Sequence, residues 1–336
     1  AYIDIAKDLN ENFEYSSSPR GLKVKEILGY QFRLNNPLAR IPCVKSRDFS
    51  VHYVIAEMLW YLSGNDSTEW ISNYSSFWSK ISDDGKTANS AYGARIFKPH
   101  DRVASHLSST WTQWRYVIDE LKSDPDSRRA VIHIRSPQDS MLAKLDVPCT
   151  LSLQFFLRDD KIHMVTSMRS SDLILGLAYD IPAFTLFQEL LAFELSNELE
   201  RKIDLGTYTH LSASLHVYER HYGMLAKIAN EKPQDNISEL SVMPRVVSTP
   251  PLQPLMRAES LIRSCEDSKK LLEDFSTSFV PPSLSDNYWT DWCRVLASHR
   301  ASRLGDVKAS DELLRVRSEE HTSELQSRLH LVCRLL

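Results

Sequence analysis

Between Thr150 and Met168 the chain holds two short runs around a polar break, and an antiparallel β-hairpin is the structure that fits them. In the first run Leu151, Leu153 and Phe155 alternate with Thr150, Ser152 and Gln154, the period of a strand buried on one face. The second run occupies 162–168, and Arg158-Asp159-Asp160-Lys161 supplies the turn. Cys149 stands at the head of the hairpin behind Pro148, and Arg169 stands just past its end. A thiol near a guanidinium can be held as a thiolate and used as a nucleophile. A free cysteine also serves as a small buried hydrophobe, and the local sequence allows either role.

Around this hairpin the pattern is mixed α/β. Residues 1–15 predict a helix with Ile3, Ile5, Leu9 and Phe13 near one face, 16–21 a loop, and 23–34 a strand. Helices are expected over 50–63, 109–122 and 182–198, a strand over 130–135, and a strand leading into a helix from Thr207 to Tyr218. After residue 232 the text changes: Pro233, Pro244, Pro250, Pro251 and Pro254 break the chain, and a polar, helix-forming stretch runs to Leu314. The expected organisation is a main domain over 1–232 and a helical extension over 233–316. Residues 317–336 contain Ser318-Glu319-Glu320-His321-Thr322-Ser323-Glu324-Leu325-Gln326-Ser327, which reads as the translation of a sequencing adapter and is set aside from fold reasoning.

The charge balance narrows the partners. With 44 acidic and 40 basic residues the net charge is −4, so nucleic acid is not an expected partner and any anion site must be a local arginine cluster. Nine glycines include no phosphate-cradling loop. Five widely spaced cysteines imply neither a disulfide framework nor a zinc site, and point to a reducing, cytoplasmic setting. No membrane span and no signal-peptide run are expected. The absence of a leading methionine leaves room for residues upstream of Ala1.

Three further features each carry two readings. Glu57 lies in Val54-Ile55-Ala56-Glu57-Met58-Leu59-Trp60, and is either the exposed edge of an amphipathic helix or a buried carboxylate working as acid or base. Arg128 and Arg129 follow the turn Asp124-Pro125-Asp126-Ser127. They are either solvated or, with Arg20 and Arg169, forks suited to phosphate oxygens. Asp180, in Gly176-Leu177-Ala178-Tyr179-Asp180-Ile181-Pro182, is either an ordinary carboxylate at a helix start or a ligand group.

Read in order, Ala56-Glu57-Met58-Leu59-Trp60-Tyr61-Leu62, Tyr92-Gly93, Asp124 to Arg129, Pro148-Cys149, Gln154-Phe155, Arg169-Ser170-Ser171-Asp172, Gly176 and Leu215-His216-Val217-Tyr218 resemble the thymidylate synthase family over about residues 16–225. The resemblance implies a large mixed sheet flanked by helices, and a homodimer joined sheet to sheet. It implies Cys149 as nucleophile, Glu57 as acid–base carboxylate and Tyr92 as an aid to proton removal from C5. For the nucleotide phosphate it implies Arg20, Arg169 and Ser170, joined by Arg128 and Arg129 of the partner subunit. Asp172 and Gly176 would lie at the pyrimidine ring and the folate, and His216 and Tyr218 at the sugar hydroxyl. The co-substrate implied is 5,10-methylenetetrahydrofolate, with no metal.

Two positions depart from the family's synthases: Thr150 replaces a histidine and Asp180 replaces an asparagine. An asparagine amide accepts from uracil N3–H and donates to O4, whereas cytosine presents the inverse pattern, which a protonated aspartic acid matches. Asp180 resembles the family's cytidylate hydroxymethylases. The expected activity is therefore 5-hydroxymethylation of CMP or dCMP. Methylation of dUMP and a non-catalytic nucleotide-binding member remain as alternatives.

Overall fold

The computed structural model describes residues 1–99, 111–141, 145–232, 243, 252–281, 284 and 287–315. The chain divides into two compact units, Ala1–Arg47 with Trp60–Glu239, and Asp48–Leu59 with Leu240–Leu336.

In the first unit, helix α1 (Tyr2–Glu11) buries Ile3, Ile5, Ala6 and Leu9. The helix expected to reach residue 15 stops at Glu11, because Tyr15–Ser17 (β1) pairs with β2 (Val24–Leu34) as an edge strand. Sheet pairing captures residues whose local pattern reads as helix and loop. Five more strands follow: β3 (Val131–His133), β4 (Thr150–Arg158), β5 (Lys161–Met168), β6 (Ser171–Asp172) and β7 (Asp204–Tyr218). Their order is β1-β2-β7-β5-β4-β3, with β6 pairing β7 off this path. The sheet is mixed, since β5 and β6 run parallel to β7 and the other pairs are antiparallel. The predicted hairpin is present. Asp159 and Asp160 both take positive φ, 50° and 54°, as the right-handed twist of a two-residue connection demands.

Helix α2 (Val51–Leu62) begins in the second unit and ends in the first, and helices α3 (Tyr92–Phe97), α4 (Gln113–Ser123) and α5 (Ala178–Glu198) pack around the sheet. Helix α4 begins later than residue 109: Thr112 caps it by accepting from the Arg115 amide at 3.1 Å, and 100–110 lie outside the described residues. Helix α5 is apolar on all sides and is the core helix of the unit. Residues 173–198 are long and apolar enough to cross a membrane by length and composition, but 78% of the apolar window is buried inside the protein. Two buried contacts anchor α5: Gln188 Nε2 donates to the Ile162 carbonyl at 2.7 Å, and Arg40 pairs with Glu189 at 2.8 Å. A short helix, α6 (Tyr222–Ala229), follows β7.

The second unit contains α7 (Leu252–Ser264), α8 (Ser268–Glu273), α9 (Asn287–Arg303) and α10 (Val307–Leu314), together with the start of α2. Pro254 sits in the first turn of α7, where a missing amide costs no helix bond. The other four predicted breakers and the adapter-like tail lie outside the described residues. His52 of α2 stacks on His299 of α9 with ring centroids 3.7 Å apart, and burial pulls both imidazoles well below the usual range, to about 3 and about 4.

Candidate functional site

The first turn of the site is set by an irregularity in the hairpin. Thr150 pairs with Met168 but Ser152 pairs with Ser167, so the register slips at Leu151. This bulge corrects the simple alternation expected from the sequence. Thr150 is buried together with Leu153 and Phe155, while Leu151 is only half-buried. A bulge of this kind turns the strand and re-aims the residue before it, here Cys149.

Arg169 is fastened around that residue. Its amide donates to the Cys149 carbonyl at 2.8 Å. Its Nε donates to the Pro148 carbonyl, its Nη2 to the Val147 carbonyl and its Nη1 to Ser170 Oγ, each at 3.0 Å. Ser170 Oγ in turn lies 3.9 Å from Cys149 Sγ. Burial pushes the thiol pKa up. The Arg169 charge and the Ser170 hydroxyl oppose this, while Asp180 and Asp146 add to it. The thiol therefore keeps its proton at rest, and neutralising a nearby carboxylate is one way to release it.

Asp180 reaches the same place from the start of α5. The turn before it, Leu173–Leu177, is a π-helical widening capped by Asp172, whose Oδ1 accepts from the amides of Ile174 at 2.8 Å and Leu175 at 2.5 Å. The other oxygen, Asp172 Oδ2, is buried without a hydrogen-bond partner among the described residues. Gly176 faces Asp180 so closely that a Cβ would lie 3.3 Å from Asp180 Oδ2. A helix N-terminus favours an ionised carboxylate. Desolvation nonetheless dominates at Asp180, the Asp172 charge adds to it, and the pKa is pushed up to about 7. Arg47, which sequence reasoning missed, is buried and clamps the same turn: its Nε and Nη2 donate to the Ile174 carbonyl at 3.1 and 2.6 Å. Only a tertiary contact marks it, since an arginine in a loop carries no local sign of burial.

Tyr92 completes the cluster. Burial drives its phenol well above the usual range, and the charges of Asp180 and Cys149 push in the same direction. The Thr150 hydroxyl stands near the phenol and favours its ionised form, though not in hydrogen-bonding geometry. Gly93 allows this placement, because a Cβ there would come within 2.0 Å of the Tyr61 carbonyl oxygen.

The structure thus groups Cys149, Tyr92, Arg169, Ser170, Asp172, Gly176 and Asp180. His216 and Tyr218 lie on β7 beside them: Asp172 is in register with His216, and the His216 ring meets Tyr218 edge-on at 5.3 Å. Glu57, in the second unit, is 6% exposed, which decides for the buried carboxylate over the amphipathic edge. The Tyr53 hydroxyl donates to it at 2.6 Å from one helical turn away. A single chain does not gather all four arginines. Arg20 is exposed in the turn between β1 and β2, at one edge of the sheet, with φ of 55°. Arg128 and Arg129 are exposed before β3, at the opposite edge, and Arg129 Nε donates to Glu120 at 2.9 Å.

The family model for thymidylate synthase matches residues 1–252. A deoxyuridylate hydroxymethyltransferase of Bacillus phage SP01 is 32% identical over 234 residues, which is 68% of this chain and 59% of that relative. The match therefore spans less than two thirds of the relative's length. A half-buried thiol whose backbone is held by an arginine, the capped turn leading to Asp180, and a large mixed sheet flanked by helices agree with the sequence match, and this chain belongs to the thymidylate synthase family.

Proposed function

We propose that this protein transfers a one-carbon unit to C5 of a pyrimidine nucleoside monophosphate, and that its product is the 5-hydroxymethyl derivative of CMP or dCMP. Asp180 carries the reading. A desolvated carboxyl with a pKa of about 7 beside Cys149 can keep a proton for the ring and present its second oxygen as an acceptor. Cytosine N3 and its amino group match that pair, whereas uracil N3–H and O4 match an amide.

The chemistry assigned to the chain begins as the Cys149 thiolate bonds to C6. The C5–C6 π pair moves to C4–C5, and N3 takes the Asp180 proton as the C4–N3 π pair becomes the new N–H bond. When bound, methylenetetrahydrofolate would supply the carbon attached at C5 and leave as tetrahydrofolate. Asp172 suits that neighbourhood, since its Oδ2 is a buried acceptor with no partner among the described residues. Tyr92, whose phenol stays protonated, is assigned as an aid to loss of the C5 proton, with Glu57 in the acid–base role that family resemblance gives it. Return of the N3 proton to Asp180 accompanies departure of the sulfur. Water, in place of hydride, completes the hydroxymethyl group.

Arg169 and Ser170 are assigned to the phosphate together with Arg20, and His216 and Tyr218 to the sugar hydroxyl. Arg128 and Arg129 are exposed on the sheet edge opposite Arg20, which suits donation to the phosphate of a second copy in a homodimer. A cytoplasmic location accords with the free thiols of Cys43, Cys149, Cys265 and Cys293.

One observation favours a second reading, hydroxymethylation of dUMP: the phage relative is named for deoxyuridylate. Incubation of CMP, dCMP and dUMP, each with methylenetetrahydrofolate, separates the readings by product mass. Gain of a hydroxymethyl group on a cytosine nucleotide is expected. Turnover confined to dUMP overturns the cytosine assignment, and formation of dihydrofolate overturns hydroxymethylation.

A further inference from the structure

On β6 and β7 lies a buried polar row that the chemistry above does not use. On β7, Tyr208 and His210 are fully buried and lie in register with Met164 and Thr166 of β5. His210 uses both ring nitrogens: Nδ1 is 2.8 Å from the Tyr208 hydroxyl and Nε2 is 3.1 Å from Ser171 Oγ. Its ring stacks on Phe32 of β2, with centroids 5.1 Å apart. Ser171, itself buried, can also donate to Met168 Sδ at 3.4 Å. Burial holds the imidazole neutral, with its pKa pulled down to about 3, so it carries one N–H for two partners. If Nδ1 donates to Tyr208, the Tyr208 proton is free to point elsewhere, and Ser171 donates to Nε2. If Nε2 donates to Ser171, the Ser171 proton turns to Met168 and the Tyr208 hydroxyl donates to Nδ1. The two ends of the chain are thus linked: one proton arrangement fixes both.

The two ends of the row approach the base-recognition cluster by different routes. Ser171 immediately precedes Asp172, and Tyr208 lies within electrostatic reach of Asp180. The titratable groups whose charge couples to Asp180 are Asp172, Cys149, Tyr92 and Tyr208. Around Tyr208 the other polar neighbour is Thr166, close to its hydroxyl but outside hydrogen-bonding geometry.

We propose that His210 is a positioning residue for the pyrimidine edge. Through Ser171 on one nitrogen and Tyr208 on the other, it ties the strand ending in Asp172 to the Tyr208 hydroxyl, which feels the Asp180 charge, and so fixes how Asp180 meets the base. This deepens the proposed function and rests on Asp180 being the base-reading group.

The test is calorimetric binding of dCMP, dUMP and ribose 5-phosphate across pH 5–9. Tyr208→Phe keeps the ring and removes only the hydroxyl. It is expected to change the dCMP-to-dUMP affinity ratio at least fivefold and to move the pH midpoint of dCMP affinity, with ribose 5-phosphate affinity unchanged. His210→Gln, which retains one donor and one acceptor, is expected to fall between parent and Tyr208→Phe. An unchanged ratio with an unmoved midpoint overturns the proposal and leaves the row as core packing. If circular dichroism shows Tyr208→Phe unfolded, Ser171→Ala cuts the far end of the chain and is read in the same way. Asp180→Asn is measured alongside. If Asp180→Asn abolishes base discrimination while Tyr208→Phe alters neither readout, only the network fails. If Asp180→Asn leaves discrimination unchanged, the base-reading assignment fails, and the network is then judged on the pH midpoint alone.

Discussion

Gly176 and Asp180 are in such close approach that a single added methyl carbon on the first would stand 3.3 Å from Oδ2 of the second. That distance is tighter than ordinary van der Waals contact, so Gly176→Ala must shift the carboxyl. We expect nucleotide affinity to fall about fivefold to tenfold, roughly 1–1.4 kcal/mol, with the fold retained. Titration calorimetry with dCMP checks this, and unchanged affinity would remove Asp180 from the nucleotide site.

Cys149→Ser should lower turnover by at least about a thousandfold, because a hydroxyl near neutrality offers almost no anion where the thiol supplies some thiolate. Nucleotide binding should persist, since Arg169 is held by the Val147 and Pro148 carbonyls independently of the sulfur. Mass spectrometry of the parent enzyme, quenched during turnover, should find the nucleotide attached to the peptide containing Cys149. Attachment elsewhere would refute the assignment.

Asp180 also sets a pH dependence of stability. Its folded pKa of about 7 lies above the ordinary carboxyl value of 3.8. Below about pH 4 both states hold the proton and the group is neutral to stability. Between about 4 and 7 the unfolded chain ionises first, so a destabilising contribution grows, and above about 7 it is constant. Asp180→Asn should therefore be more stable than the parent at pH 8, by about 1–4 kcal/mol, and the advantage should close as the pH falls to 4. Urea denaturation at both pH values measures it, and an advantage independent of pH would contradict the raised pKa.

The buried pair Arg40–Glu189 is exposed by only 3% and 4% on its two side chains. Removing one partner strands a charge, so Arg40→Met should cost about 3–5 kcal/mol, while the double change Arg40→Met with Glu189→Leu should recover most of it. Thermal unfolding of the three proteins compares them. A single substitution as mild as the double one would show that the pair is solvated.

The local pattern of the sequence was sufficient for the hairpin, the long apolar helix and most element types, because each rests on periodicity and turn chemistry within about ten residues. The two-aspartate turn at 159–160 and the strand pair around it are an example, and the ordered series from Glu57 to Tyr218 was legible as a family signature. Residue spacing could not say that Glu57 is buried, that the bulge at Leu151 turns Thr150 inward, or that Arg47 clamps the turn before Asp180. Nor could it find the link from Ser171 through His210 to Tyr208. These depend on burial and on contacts between strands and loops distant in the chain. The protonation of Asp180 belongs with them. The sequence supplies a carboxyl, and the packed surroundings that exclude water from it decide that it holds its proton near neutrality.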